Sequence, residues 1–201
     1  MRSFLLSFSF VLLAGCSAEP VAAESAASAV ETGPAFSWPI PDGWRAETIP
    51  FPLGFAPSIP YRGVEELRFA PRFFDPSSPT YFTYSFAFVL EGTPAIGPEV
   101  FASDLHTYFT GLASAVTGAP SDPSLHVATI AEGADGRLRG TVRTIDAFGD
   151  RRTLDLHLEA ETFTCGERRV VIASLSPHAP ASPIWSALAT VRGSFRCTST
   201  P

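Results

Sequence analysis

From Phe82 to Leu90 every second residue is large and apolar: Phe82, Tyr84, Phe86, Phe88 and Leu90. A period of two marks a β-strand with one face turned to a core. Four rings and a leucine on that face need a broad apolar layer over them, which excludes an all-helical fold. The spacing predicts a strand over Thr80 to Leu90, with Tyr81, Thr83, Ser85, Ala87 and Val89 on the opposite face. Val64 to Ala70 reads as its hairpin partner across the turn-forming run Asp75-Pro76-Ser77-Ser78-Pro79. A helix over Pro98 to Thr117 supplies the covering layer. Pro98 suits its first position and Gly118 its left-handed stop. Phe101, Leu105, Tyr108, Phe109, Leu112 and Val116 form the stripe that should lie on the aromatic face.

Four further strands follow as a predicted meander: Leu125 to Glu132, Arg137 to Ala147, Arg152 to Phe163, and Arg168 to Leu175. In the third, Leu154, Leu156, Leu158 and Ala160 alternate with Asp155, His157, Glu159 and Glu161. A three-residue loop at Phe148 to Asp150 sets a register. It places Arg143 opposite Asp155, Arg139 opposite Glu159, Arg137 opposite Glu161, Thr141 opposite His157, and Val142 opposite Leu156. A one-residue slip would set arginines against leucines. This polar face is either a solvated surface with self-neutralising pairs or an electrostatic docking surface. A last helix is expected from Pro183 to about Arg196, capped by Ser182, with Ile184, Leu188, Val191 and Phe195 inward. The expectation is an α+β domain over residues 36–201: an antiparallel sheet, made of an N-terminal hairpin and a four-strand meander, packed against two helices.

The chain begins with Arg2, an 11-residue apolar stretch from Phe4 to Ala14 broken only by Ser7 and Ser9, and Leu13-Ala14-Gly15-Cys16. The stretch is too short to span a bilayer. The combination resembles a bacterial lipoprotein signal with its lipobox. The resemblance implies removal of residues 1–15, lipid on Cys16, and anchorage to the cell envelope. With Ser17 rather than Asp after Cys16, it implies the outer membrane, facing the periplasm, if the cell is Gram-negative. Residues 16–35 are Ala-, Ser-, Glu- and Pro-rich and read as a tether.

Trp38, Trp44, Phe51, Phe55 and Tyr61 lie in a proline-dense segment. They are either a strap laying rings over the core, with a short edge strand near Arg45 to Ile49, or a candidate binding surface for a protein or small ligand. With Cys16 lipidated, Cys165 and Cys197 remain as an even pair for a disulfide in an oxidising compartment. The alternative there is a reactive thiol at Cys165. The histidines (His106, His126, His157 and His178) form no metal-ligand spacing. No nucleophile elbow, phosphate loop or dinucleotide fingerprint occurs, so no cofactor, metal or catalytic residue is expected. A net charge of −6 argues against nucleic acid as a partner.

The order of hairpin, helix, meander and short terminal helix, with Trp38 and Trp44 at the opening and Ile184-Trp185…Phe195 at the close, is similar to the Mog1/PsbP-like fold. That resemblance implies a non-catalytic binding or assembly module. The alternatives are an envelope enzyme of hydrolase type with a dispersed site, or a structural lipoprotein.

Overall fold

The two hydrophobic periods resolve, in a computed structural model that describes residues 36–198, into a sheet with a helix on each face. The strands are β1 (Phe36–Ser37), β2 (Arg45–Phe51), β3 (Gly63–Phe69), β4 (Tyr84–Glu91), β5 (Val127–Glu132), β6 (Leu138–Ile145), β7 (Thr153–Cys165), β8 (Arg168–Ser176) and β9 (Arg196–Cys197). The helices are α1 (Pro98–Thr117) and α2 (Ile184–Gly193). Seven strands pair in the order β2-β3-β4-β8-β7-β6-β5, every neighbour antiparallel; β1 and β9 pair separately. The expected hairpin is thus the inner part of a three-strand meander, because the short edge strand at 45 extends to Phe51 and pairs along all of β3. The expected signal peptide and tether, and Cys16, lie outside the described residues.

The crossover from central β4 to edge β5 runs through α1, which must therefore cross one face of the sheet. Phe101, Leu105, Tyr108 and Phe109 bury there against Phe86, Phe88, Leu156 and Leu158. Val116 shares the stripe but stays 39% exposed, because the helix outruns its cover by one turn. Gly111 lies against the strap: a Cβ would stand 2.0 Å from the Phe55 carbonyl oxygen, so only glycine allows this approach. The opposite face carries Ala87, Val89, Val170 and Ile172, which pack with Trp38, Val191 and Phe195. Strands β4 and β8 are consequently buried on both sides.

Three expectations need correction. The strand predicted from Thr80 starts at Tyr84, because Phe82 adopts φ +47°, a left-handed conformation that no strand accommodates. Tyr81 then turns to the α1 side instead of the opposite face, where its hydroxyl donates to Asp146 Oδ2 at 2.5 Å. The terminal helix stops at Gly193, and Ser182 contributes its carbonyl to Trp185 N rather than a side-chain cap. The registers of Arg143 with Asp155, Arg139 with Glu159, Thr141 with His157 and Val142 with Leu156 are as expected. Ion pairs form between Arg143 and Asp155 (2.9 Å) and between Arg137 and Glu161 (3.3 Å). Arg139 instead turns to Asp135 in its own hairpin, because Arg192 of α2 reaches down to Glu159 at 2.6 Å.

Candidate functional site

The segment from Trp38 to Tyr61 does not form one surface. Trp38 and Trp44 pack on the α2 face, whereas Phe51, Phe55 and Tyr61 pack on the α1 face. Trp38 is buried; its indole N–H donates to the Val191 carbonyl at 2.8 Å, and the Arg68 guanidinium stands 4.5 Å over its ring. Phe51 meets Tyr61 and Phe88 edge-on. The Tyr61 hydroxyl donates to Asp104 Oδ2 at 2.7 Å. Burial raises the Asp104 carboxyl above its usual range, and the Tyr61 bond pulls it back. Only Phe55 of the five lines the aromatic-walled cavity on the α1 face.

That cavity measures about 500 Å³, the size of a small-ligand site. Its outer wall is the edge strand β2, from Glu47 to Pro50. Leu67 and Phe69 of β3 form its floor, and Tyr108, Phe109 and Leu112 of α1 its roof. Phe73, Phe82 and Phe148 close one end. The Phe82 ring reaches this wall only because the backbone there is left-handed; a bulky residue in that region stores strain that its surroundings must hold. The Phe55 ring meets Tyr108 edge-on at 4.9 Å, above the strap that Gly111 admits. Outside the mouth a smaller groove of about 230 Å³ shares Glu47, Phe69, Phe73 and Phe148 with the cavity. Its rim exposes Phe74 and Phe148, their rings tilted at 60° with centroids 5.3 Å apart, and Arg45 over Phe74 at 5.2 Å.

Behind this wall lies Glu65. It shares the face of β3 with Leu67 and Phe69, is fully buried, and neither carboxylate oxygen has a hydrogen-bond partner. Burial pushes its carboxyl up to about 8. The Tyr108 hydroxyl, a hydrogen-bond donor facing the carboxyl but outside ideal bonding geometry, opposes that rise, and the Glu47 charge adds to it. The phenols of Tyr84 and Tyr108, which line the cavity, are pushed far above their ordinary value by burial, and the neighbouring Glu65 charge adds to this. At neutral pH the group is a protonated carboxyl in an aromatic setting. The sequence carried one signal for it. Period-two reading of β3 sets Glu65 in line with Leu67 and Phe69, a carboxylate at a core position.

The histidines do not converge on a cleft. His126 is fully buried, with Nδ1 at 2.9 Å from Thr144 Oγ1 and Nε2 at 2.8 Å from Ser121 Oγ. Burial and the nearby His106 lower its pKa. With both ring nitrogens engaged and no surface exposed, this imidazole offers no nitrogen to a substrate. His106 Nδ1 pairs with the His126 carbonyl. His157 lies on the α2 face of β7 opposite Thr141, and His178 lies beyond β8. Cys165 and Cys197 are joined by a disulfide with Cα atoms 5.4 Å apart, tying β9 to the end of β7. Among the described residues no cluster of His, Cys, Asp and Glu suits a metal ion, and no helix is long and apolar enough to cross a membrane. Compared with family models, curated proteins and solved structures, the chain matches none.

Proposed function

We propose that this chain is a lipid-anchored envelope protein that binds a small apolar ligand in the cavity on its α1 face, without chemistry on it. The observation that carries the reading is the cavity itself: about 500 Å³, walled by aromatic side chains, with a partnerless carboxyl behind the wall. A concave, largely apolar cleft of this size matches the dimensions and lining of small-molecule sites. Strain at Phe82 on the wall points the same way, since strained backbone concentrates where a site needs it. The Leu13-Ala14-Gly15-Cys16 box supports anchorage. Several acyl chains at Cys16 hold stably, whereas one holds marginally.

Titrating the full chain with N-phenyl-1-naphthylamine, a neutral apolar fluorophore, tests the cavity. Saturable binding to the wild type, lost in Leu112→Trp because the indole fills the roof, is the expected result. Binding that Leu112→Trp leaves intact places the ligand elsewhere and overturns the reading. The intact mass of the envelope-extracted protein tests the anchor: cleavage before Cys16 with an added diacylglyceryl group is expected.

A further inference from the structure

We infer that the cavity selects an apolar organic cation, a hydrocarbon body carrying a quaternary or protonated nitrogen. This rests on the ligand-binding reading above and names the ligand's chemistry.

Charge is the first argument. Among the described residues, Glu47 is the one charged residue on the cavity wall, Glu65 stands behind it, and no Lys, Arg or His lines the space. An anionic ligand would set its charge beside the Glu47 carboxylate and would disfavour ionisation of Glu65. A neutral one would bring no charge to either carboxyl. A cation supplies what that buried carboxyl lacks.

Ring geometry is the second argument. The faces of aromatic rings carry negative potential and attract cations, most strongly where water is excluded. Phe55, Phe69, Tyr84 and Tyr108 present such rings from the strap, β3, β4 and α1. Tyr84 and Tyr108 also adjoin Glu65, so a nitrogen seated on those two phenols sits near the carboxyl as well. The rim already displays the interaction, where the Arg45 guanidinium rests over Phe74.

Cation binding is therefore coupled to a proton. The groups facing Glu65 are Glu47 from β2, Tyr84 from β4 and Tyr108 from α1. None is basic, so the incoming nitrogen is the charge that ionises Glu65, and the carboxyl proton passes to solvent.

The experiment is isothermal titration of the full chain with decyltrimethylammonium, decanol and decyl sulfate, each below its micellar concentration. The ammonium compound should bind on the order of tenfold more tightly than decanol, with decyl sulfate weakest. Its heat should vary with the ionisation enthalpy of the buffer, reporting the released proton. Glu65→Gln, which keeps the shape of the protonated acid, should bind decanol as before, lose the cation preference and lose the buffer dependence. Equal or tighter binding of decyl sulfate or decanol by the wild type overturns the inference, as does a cation preference that survives in Glu65→Gln. Decanol binding without cation preference refutes this inference alone; failure of all three probes refutes the ligand-binding reading too. Phosphatidylcholine vesicles form a separate arm. Where the cation preference holds, uptake of the lipid assigns the nitrogen to a headgroup, and no uptake assigns it to a free amphiphilic amine.

Discussion

Glu65 and Arg68 sit three residues apart on β3, are both buried, and point to opposite faces of the sheet. Arg68 is fully engaged. Its guanidinium donates to the carbonyls of Trp38 (2.6 Å), Pro39 (3.3 Å) and Leu67 (2.8 Å), pairs with Glu66 at 3.0 Å, and stacks on Trp38. Glu65 bonds to nothing. The same low dielectric that strengthens a satisfied buried charge makes an unsatisfied one costly. The α2 face uses its charge to fasten the opening segment onto the sheet. The α1 face keeps a protonated carboxyl without a bonded partner beside a cavity, a cost that packing alone does not explain and that a ligand would offset.

The comparison breaks most directly at Arg68. Arg68→Met should cost about 3–5 kcal/mol in denaturant unfolding, the range for removing one partner of a buried charged network. A loss under about 1 kcal/mol would mean the latch is decorative. At Glu65 the sign is reversed and depends on pH. Its folded-state carboxyl titrates near 8, above an unfolded value of 4.5. From 4.5 to about 8 the unfolded chain has released the proton that the folded chain keeps, so stability falls as pH rises through that window and levels off above it. The slope is at most about 1.4 kcal/mol per pH unit. Glu65→Gln should flatten the wild-type decline between pH 5 and 8; a parallel decline in both proteins would remove Glu65 as its cause.

Cys197→Ser tests the α2 side at its margin. Opening a loop of 32 residues should cost about 4 kcal/mol and leave binding in the cavity unchanged. Gly111→Ala tests the cavity side. Its Cβ collides with the Phe55 carbonyl, so the strap must shift, lowering the thermal midpoint by the equivalent of about 1–3 kcal/mol and weakening ligand binding. The smallest effect belongs to the open part of the α2 face, where Arg143 and Asp155 form an exposed pair. Arg143→Ala should leave the unfolding midpoint where it is, since solvent and salt screen such pairs.

Much of this fold was legible in one dimension. The alternation in β7 and the three-residue loop at Phe148 to Asp150 were enough to place Arg143 opposite Asp155. Pro98 and Gly118 marked both ends of α1. The site was far less legible. The aromatic segment reads as either a core strap or one binding surface because its residues are close in sequence, and β2 and the strap deal its rings to both sides of the sheet. Glu65 adjoins Glu66, and two successive carboxylates suggest a solvated face.

The dividing line is physical. Periodicity, turn chemistry and charge alternation act between near neighbours, so the sequence by itself determined the strands of the meander, the ends of α1 and the register of β6 on β7. Burial sums contributions from segments far apart in the chain. Only the tertiary structure could decide that α2 and the Trp38 segment cover one face of β4 and β8, that α1 and the strap cover the other incompletely, and that a carboxyl lies behind the gap.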